Sequence, residues 1–451
     1  MNPSKHVFYL GIGGIGMSAI ARYHRACGWK VAGYDKTPSP ITDQLIEEGI
    51  EVIFDDSVNA LPNEVKEQNT LVIYTPAIPA TNQLFQFFSQ GNFIRMKRAQ
   101  ALGEITKNAT LLAVGGTHGK TTTSCLVSQL LSAHGISFTA FLGGIASNFG
   151  TNYIAGNPNL VVVEADEFDR SFLHLHPSHS VITSTDADHL DIYGTNDSVV
   201  ASFQEFANLV PETGKVWLFN EAHGIAGKQV KKYGISGQAQ AKNVRIQDGK
   251  FVFDFEMEGH SWSNLVVGIP GFHNVWNATG ALALLLGANL PITEENCRKG
   301  LANFRGVARR FDCRFSKDGL VYIDDYAHHP TEIESLISSV RALYPGKKVT
   351  GIFQPHLFSR TRDFMSEFAQ SLALLDRLIL MDIYPARELP IPGITSETLL
   401  EMVPMRQKTL GTTQEIPNMI LPSDEVILTI GAGDIDRLVP RLEEKLKGGL
   451  S

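Results

Sequence analysis

Residues 113–127 read AVGGTHGKTTTSCLV, a glycine-rich turn between an apolar strand and a helix opening at Thr121. In such a turn the backbone N–H groups wrap phosphate oxygens. The lysine reaches the terminal phosphates, and the hydroxyl after it can ligate Mg²⁺. Gly116, Thr117, His118, Gly119, Lys120, Thr121 and Thr122 are therefore read as an ATP loop, with Lys120 as its catalytic cation. The common form of this loop carries a glycine six positions before the lysine. Here that position is Val114, so the loop is compressed. A buried strand running into a phosphate loop and helix is the local mark of an α/β fold.

The neighbouring sequence extends that reading. The runs LVVVEAD (160–166) and SVITSTD (180–186) are apolar and β-branched, as expected of a parallel sheet covered on both faces. Upstream, FYLGIGGIGMSAI (8–20) places Gly11, Gly13, Gly14 and Gly16 between a strand and a helix. Backbone amides and the helix dipole there can hold a pyrophosphate. Asp35 ends the next strand, where a ribose-binding acid belongs. Alone, this first loop fits a nicotinamide or flavin cofactor, another diphosphate ligand, or simple tight packing. Beside an ATP loop it points to ATP-driven chemistry on a nucleotide-linked substrate. A hydride-transfer enzyme would leave the second loop without a role, and substrate-dependent phosphate release would separate a ligase from a module that uses ATP only to switch shape.

A length of 451 residues suggests roughly three domains. Strand–helix alternation divides the chain into three consecutive α/β blocks, at 1–107, 108–307 and 308–451. The first and third are read as Rossmann-like, and the central one as a P-loop ATPase domain with a mainly parallel sheet. Alternating residues around 243–269, with QDGK as a turn, predict a β-hairpin insertion. The net charge is −8 with 39 basic against 47 acidic residues. With no basic tract, nucleic acid and anionic membrane are excluded as partners. Four cysteines without CxxC pairing predict a reducing, cytoplasmic setting and no structural zinc.

Metal ligands are expected at the ends of strands flanking the ATP loop. Glu164 closes one such strand and His189 follows another, and with Thr121 they form the predicted metal set. Mg²⁺ is the expected ion, and an oxygen-rich site with one imidazole also admits Mn²⁺. Asn274 and Asn277 open a helix in GFHNVWNATGALA (271–283), as caps or as contacts to adenine or ribose. Arg309 and Arg310, in FRGVARRFD, can neutralise charge on a transferring phosphoryl group. DDYAHHPTE (324–332) and FQPHLFSRTRD (353–363) put His328, His329, His356 and Arg360 just past apolar strands. The reacting groups are thus spread over three blocks. Closure of the third onto the others, hinged near 305–312, is the expected working motion.

In these motifs the chain resembles the Mur ligases, which add amino acids to the UDP-linked precursor of the bacterial cell wall. GIGGIGMS, GTHGKTTT, EAD with SFLHL, DADHLD, HNVWNA, FRGVARRF, DDYAHHPTE, FQPH, SRTRD, YPARE and GAGDI carry the resemblance, from Val7 to about Leu438. The compressed loop is the family's own form. The resemblance implies that Gly13, Gly14, Ile15, Gly16, Asp35 and Arg98 bind a UDP-sugar. It implies that Asp325 joins Asn274 and Asn277 at ATP, and that Tyr384 joins His328, His329, His356 and Arg360 in an amino-acid pocket. Lys120, Glu164, His189, Arg309 and Arg310 would be catalytic. UDP-N-acetylmuramate, L-alanine and ATP are the implied small-molecule substrates, with a monomer or weak homodimer as the working form. A sibling that attaches a recycled tripeptide to the same sugar is the alternative. Other members carry a modified lysine soon after the DH segment, and between His189 and Lys215 this chain has none. Many relatives read FQPHR where this chain has Leu357, which leaves Arg360 or Arg362 to grip the amino-acid carboxylate.

Overall fold

The computed structural model describes residues 5–186, 193, 195–317, 319–386 and 388–448. Its first sheet has five parallel strands in the order Glu51–Ile53, Lys30–Tyr34, His6–Leu10, Leu71–Tyr74, Ile94–Lys97. Strand order reverses at His6–Leu10, so a crevice opens at its carboxyl end, beside the first glycine loop. Helix Ile15–Ala26 begins directly after that loop, and its first turn holds no acidic residue. The positive end of its dipole is therefore left for an anion.

The second sheet has ten strands. At its centre Thr110–Gly115, which feeds the ATP loop, runs parallel to Leu160–Glu164 and to His179–Ile182. One edge is the antiparallel pair Thr139–Ala146 and Thr151–Ile154. The predicted hairpin insertion is present and longer than expected, with strands Ala239–Gln247, Lys250–Met257 and His260–Val267. Its first turn places Asp248 and Gly249 at φ 51° and 71°, the left-handed pair that a tight hairpin needs.

The third sheet has six strands in the order Asp312–Lys317, Leu320–Asp325, Val426–Ile430, Val349–Phe353, Arg377–Leu380, Lys408–Leu410. Alternate residues of its strands face two separate cores. Ile323, Phe353 and Leu428 meet helix Pro330–Leu343 on one face, while Tyr322, Ile352 and Ile427 lie in the core of the other. That is the pattern of a sheet covered on both sides.

The chain forms two compact units. One runs up to Asn243 and includes Phe253–Leu265 and Trp276–Arg305. The other comprises Val244–Val252, Val266–Val275 and the chain from Gly306 onward. Within the first unit the first two sheets share one continuous core, in which Tyr9, Ile20 and Leu102 join Phe141, Val163 and Phe172.

Tyr9 Oη lies 2.6 Å from His24 Nδ1 in that core, and burial pushes His24 down to about 4. Folded protein therefore binds fewer protons here than unfolded protein, whose histidine titrates near 6.5. The stability His24 contributes is present above about pH 6.5 and lost as pH falls toward 4. Stability against urea is expected to fall between pH 6.5 and 4.5, by on the order of 2–3 kcal/mol from this group. A His24→Gln variant should show a flatter dependence. An unchanged slope would remove His24 as the cause.

Candidate functional site

The ATP loop is fastened from behind by residues 183–184. Thr117 N and His118 N donate to Ser184 O and Oγ at 3.2 and 2.9 Å. Thr183 Oγ1 donates to Gly115 O at 3.1 Å and to His118 O. Gly116, at φ 132°, passes so close to Thr183 that a Cβ there would collide with its hydroxyl. Gly119, at φ 80°, abuts Asn277, whose Oδ1 would lie 2.7 Å from an added Cβ. The structure thus brings Asn277 to the loop.

Lys120 Nζ donates to Gly116 O at 2.6 Å, Thr117 O at 3.1 Å and Glu167 Oε1 at 2.8 Å. Burial works against its charged form, but Glu167, Glu164 and Asp166 outweigh burial and hold its pKa above the usual lysine value. Burial pushes Glu167 up to about 7, with the Lys120 ammonium pulling the other way. The ammonium therefore directs its three protons at two loop carbonyls and one carboxylate.

Glu164 stands beside the same loop. Its Oε1 accepts from Thr121 Oγ1 at 3.0 Å and its Oε2 from Gly143 N at 2.9 Å. A carboxylate and a hydroxyl on one sheet edge are hard oxygen donors, and a partly hydrated Mg²⁺ or Mn²⁺ fits that pair. His189, the third predicted ligand, lies outside the described residues. Among the described residues, no group of three acidic, histidine or cysteine side chains is arranged around a metal position.

A cavity of about 790 Å³ joins the first glycine loop to Glu164. Gly13, Gly14, Ile15, Gly16, Asp35 and Arg98 all line it, together with Asp166 and Ser171. Its volume is in the range of drug-sized ligand sites. Asp35, expected from the sequence to meet a ribose, is engaged within the loop itself. Its Oδ2 accepts from Gly13 N at 2.7 Å, so the acid braces the loop and commits one of the loop amides. Arg98 Nη2 pairs with Asp166 Oδ2 at 2.8 Å, and its Nη1 would be 2.9 Å from a Cβ on Gly16. Asp166 thus holds a guanidinium against the first glycine turn.

In the second unit the predicted His- and Arg-rich loops do meet. Tyr326, His328, His356 and Tyr384 form a row of rings with centroids 5.3, 6.1 and 5.7 Å apart. The Arg309 and Arg310 guanidinium groups lie 5.3 and 5.9 Å from the Tyr326 ring. The two arginines differ in commitment. Arg309 Nε pairs with buried Asp324 at 3.1 Å, and its Nη2 donates to Gly431 O. Asp325 accepts from Phe311 N and Ala327 N, and burial pushes it up to about 7. Asp325 therefore shapes its own turn, and Asn274 Nδ2 likewise donates to Pro270 O at 2.5 Å. Arg362 is exposed and paired with Asp363, whereas Arg360 is buried.

The adjacent histidines separate clearly. His329 is buried, caps helix Pro330–Leu343 through Thr331 N, and packs on Phe364 at 4.7 Å. His328 is half-buried and belongs to the ring row. His329→Ala is expected to lower unfolding stability by about 1–2 kcal/mol through the lost cap. His328→Ala should leave stability within about 0.5 kcal/mol while raising the KM for the amino acid. Denaturant unfolding and steady-state kinetics on both variants would check this, and the reverse pattern would place His329 in the pocket.

A loop for ATP, a carboxylate–hydroxyl pair at its mouth and a nucleotide-sized cavity in the same unit define an ATP-using enzyme of three α/β domains. The chain belongs to the Mur ligase family. Three family descriptions match in order: "Mur ligase family, catalytic domain" over residues 6–110, "Mur ligase middle domain" over 114–285, and "Mur ligase, glutamate ligase domain" over 309–433. The chain is 48% identical over 449 residues to UDP-N-acetylmuramate–L-alanine ligase of Flavobacterium johnsoniae, covering 99% of each. It is 47% identical to the protein of that name in Flavobacterium psychrophilum, with 99% of each again covered. Among solved structures it is similar to UDP-N-acetylmuramate-alanine ligase of Thermotoga maritima. That match has a TM-score of 0.85 at 27% identity and covers 99% of this chain and 100% of the other.

Proposed function

We propose that this chain is an ATP-dependent ligase joining the amino group of L-alanine to the lactyl carboxylate of UDP-N-acetylmuramate, with release of ADP and phosphate. The observation that carries the reading is the full-length identity of 47–48% to relatives of that name, which favours it over the tripeptide-adding alternative. The cavity supports it, because it runs from a diphosphate-type loop to the ATP loop's carboxylate.

A free carboxylate resists attack by an amine, so it is activated first. A lactyl carboxylate oxygen bonds the γ-phosphorus of ATP, and the bond from that phosphorus to the β-bridging oxygen breaks, giving an acyl phosphate and ADP. The neutral amine of alanine then attacks the acyl carbon, loses a proton, and phosphate departs. Lys120 offsets the growing charge on the phosphoryl oxygens, with Arg310 as the less committed of the two arginines. Thr121 and Glu164 would hold Mg²⁺ (or Mn²⁺), which supplies further neutralisation of phosphate charge when bound. Gly14–Gly16, with Arg98, receive the UDP diphosphate, and Asn277 borders the nucleotide. His328, His356, Arg360 and Tyr384 form the alanine pocket.

The work divides among residues 1–107 for the UDP-sugar, 108–307 for ATP and 308–451 for the amino acid. The enzyme acts in the cytoplasm on small molecules, as a monomer or weak homodimer, in peptidoglycan precursor synthesis and hence in cell shape and division. No helix among the described residues is long and apolar enough to cross a membrane. The test is phosphate release with UDP-N-acetylmuramate and ATP, adding L-alanine, L-serine, glycine or the tripeptide in turn. Release dependent on L-alanine is the expected result. Release with the tripeptide alone would favour the sibling activity.

A further inference from the structure

We propose that Asn152 is a positioning residue that keeps the two phosphate cradles of the first unit in register, acting through the hairpin Thr139–Ala146/Thr151–Ile154. The proposal rests on the ligase reading above. Asn152 is fully buried, and both ends of its amide are engaged. Nδ2 donates to Ile15 O at 2.6 Å and to Ser18 Oγ at 3.0 Å, while Oδ1 accepts from Arg22 Nη1. Ile15 is the first residue of the helix whose amino end lines the cavity. Arg22, two turns along, is itself held by Glu48. One amide therefore fixes both the origin and the rotation of the diphosphate-facing helix.

The other side of the hairpin reaches the ATP loop. Phe141 pairs with Tyr153 across the two strands, and both rings pack on Tyr23 of the same helix, at 5.6 and 6.3 Å. Two residues beyond Phe141, Gly143 N holds Glu164 at 2.9 Å. A side chain at Gly143 would fall inside the Glu164 carboxylate, so glycine is what lets the strand come this close. The hairpin is thus fastened at one point to the diphosphate-binding helix and at another to the carboxylate that faces Thr121.

Each cradle is also built locally. Gly11 N and Ile12 N donate to Tyr34 O, and the ATP loop is fastened by Thr183 and Ser184. Loss of Asn152 should therefore leave each ligand bound and shift only the distance between them. Reaction rates are far more sensitive to that distance than affinities are, since a misplacement near 1 Å can cost about 100-fold.

The experiment compares unsubstituted protein with Asn152→Ala and Asn152→Asp. The aspartate keeps the volume and the Arg22 contact and replaces the donor to Ile15 O, so it tests the link even where the alanine variant folds poorly. The number of active sites is counted by ADP binding. The expected result is a 10- to 100-fold fall in kcat per active site, with the Kd values for UDP-N-acetylmuramate alone and ADP alone within twofold. A kcat within twofold of the unsubstituted protein would overturn the proposal, as would a fall in kcat matched by equal weakening of UDP-sugar binding. Failure of the ligase reading would look different, as an absence of alanine-dependent phosphate release before any substitution.

Discussion

Replacing Lys120 by alanine is expected to lower kcat by about 10²–10³-fold or more, the effect of deleting one donor aimed at transition-state charge, with UDP-N-acetylmuramate affinity within twofold. The separation follows from placement. Lys120 directs its protons at Gly116 O, Thr117 O and Glu167, whereas the cavity is lined by the first glycine loop together with Glu164. The substitution has a second consequence, because Glu167 is buried and its carboxylate is opposed by desolvation. Without the ammonium its pKa rises further, and the side chain takes up a proton near neutral pH. Breaking a buried pair from one side is costly for this reason. Lys120→Ala should therefore unfold at lower temperature than Lys120→Ala/Glu167→Gln, while both keep the same loss of kcat. Phosphate release, calorimetric titration with the UDP-sugar and thermal unfolding together give the answer. Loss of UDP-sugar binding along with turnover would sink the two-cradle arrangement.

The fold and the main loop residues were legible in the sequence because they rest on local rules. Glycines between an apolar strand and a helix, with Lys120 and Thr121 at the turn, specify their own geometry. So do the strand-end acid Glu164 and the turn at Asp248-Gly249. What was not legible depends on which strands become neighbours. Thr183 and Ser184 fasten the ATP loop only because His179–Ile182 pairs with Thr110–Gly115, and Gly143 meets Glu164 only because Thr139–Ala146 pairs with Leu160–Glu164. Glu167 carries no local signal in the sequence; a kinked segment with Asp169 and Arg170 at positive φ follows it, and it is buried against Lys120. Asp35 was read by its position as a ribose ligand, and in the fold it braces Gly13. Arg309 and Arg310 are indistinguishable in sequence. Asp324 and Gly431 O, brought up by neighbouring strands of the sheet, engage Arg309.

Glu164→Gln and Glu164→Ala together should separate charge from shape at the ATP loop. The carboxylate accepts from Thr121 and from Gly143 N, one oxygen each. Glutamine keeps the length and can still accept from Gly143 N through its amide oxygen, but it offers no charge to a cation. Alanine removes both features and frees the strand edge as well. If Glu164 holds the divalent ion, the Mg²⁺ concentration for half-maximal activity should rise at least tenfold in both variants, about 1.4 kcal/mol of lost ion affinity. Mn²⁺ binding followed by electron paramagnetic resonance should weaken in parallel, without any need for turnover. Thermal stability should stay close to the original in the glutamine variant and fall in the alanine variant, where Gly143 N–H loses its partner. Unchanged metal dependence in both would remove Glu164 from the ion site. A normal glutamine variant beside a defective alanine variant would make Glu164 a spacer between two strands, and the ion would then have to be sought elsewhere on the same sheet edge.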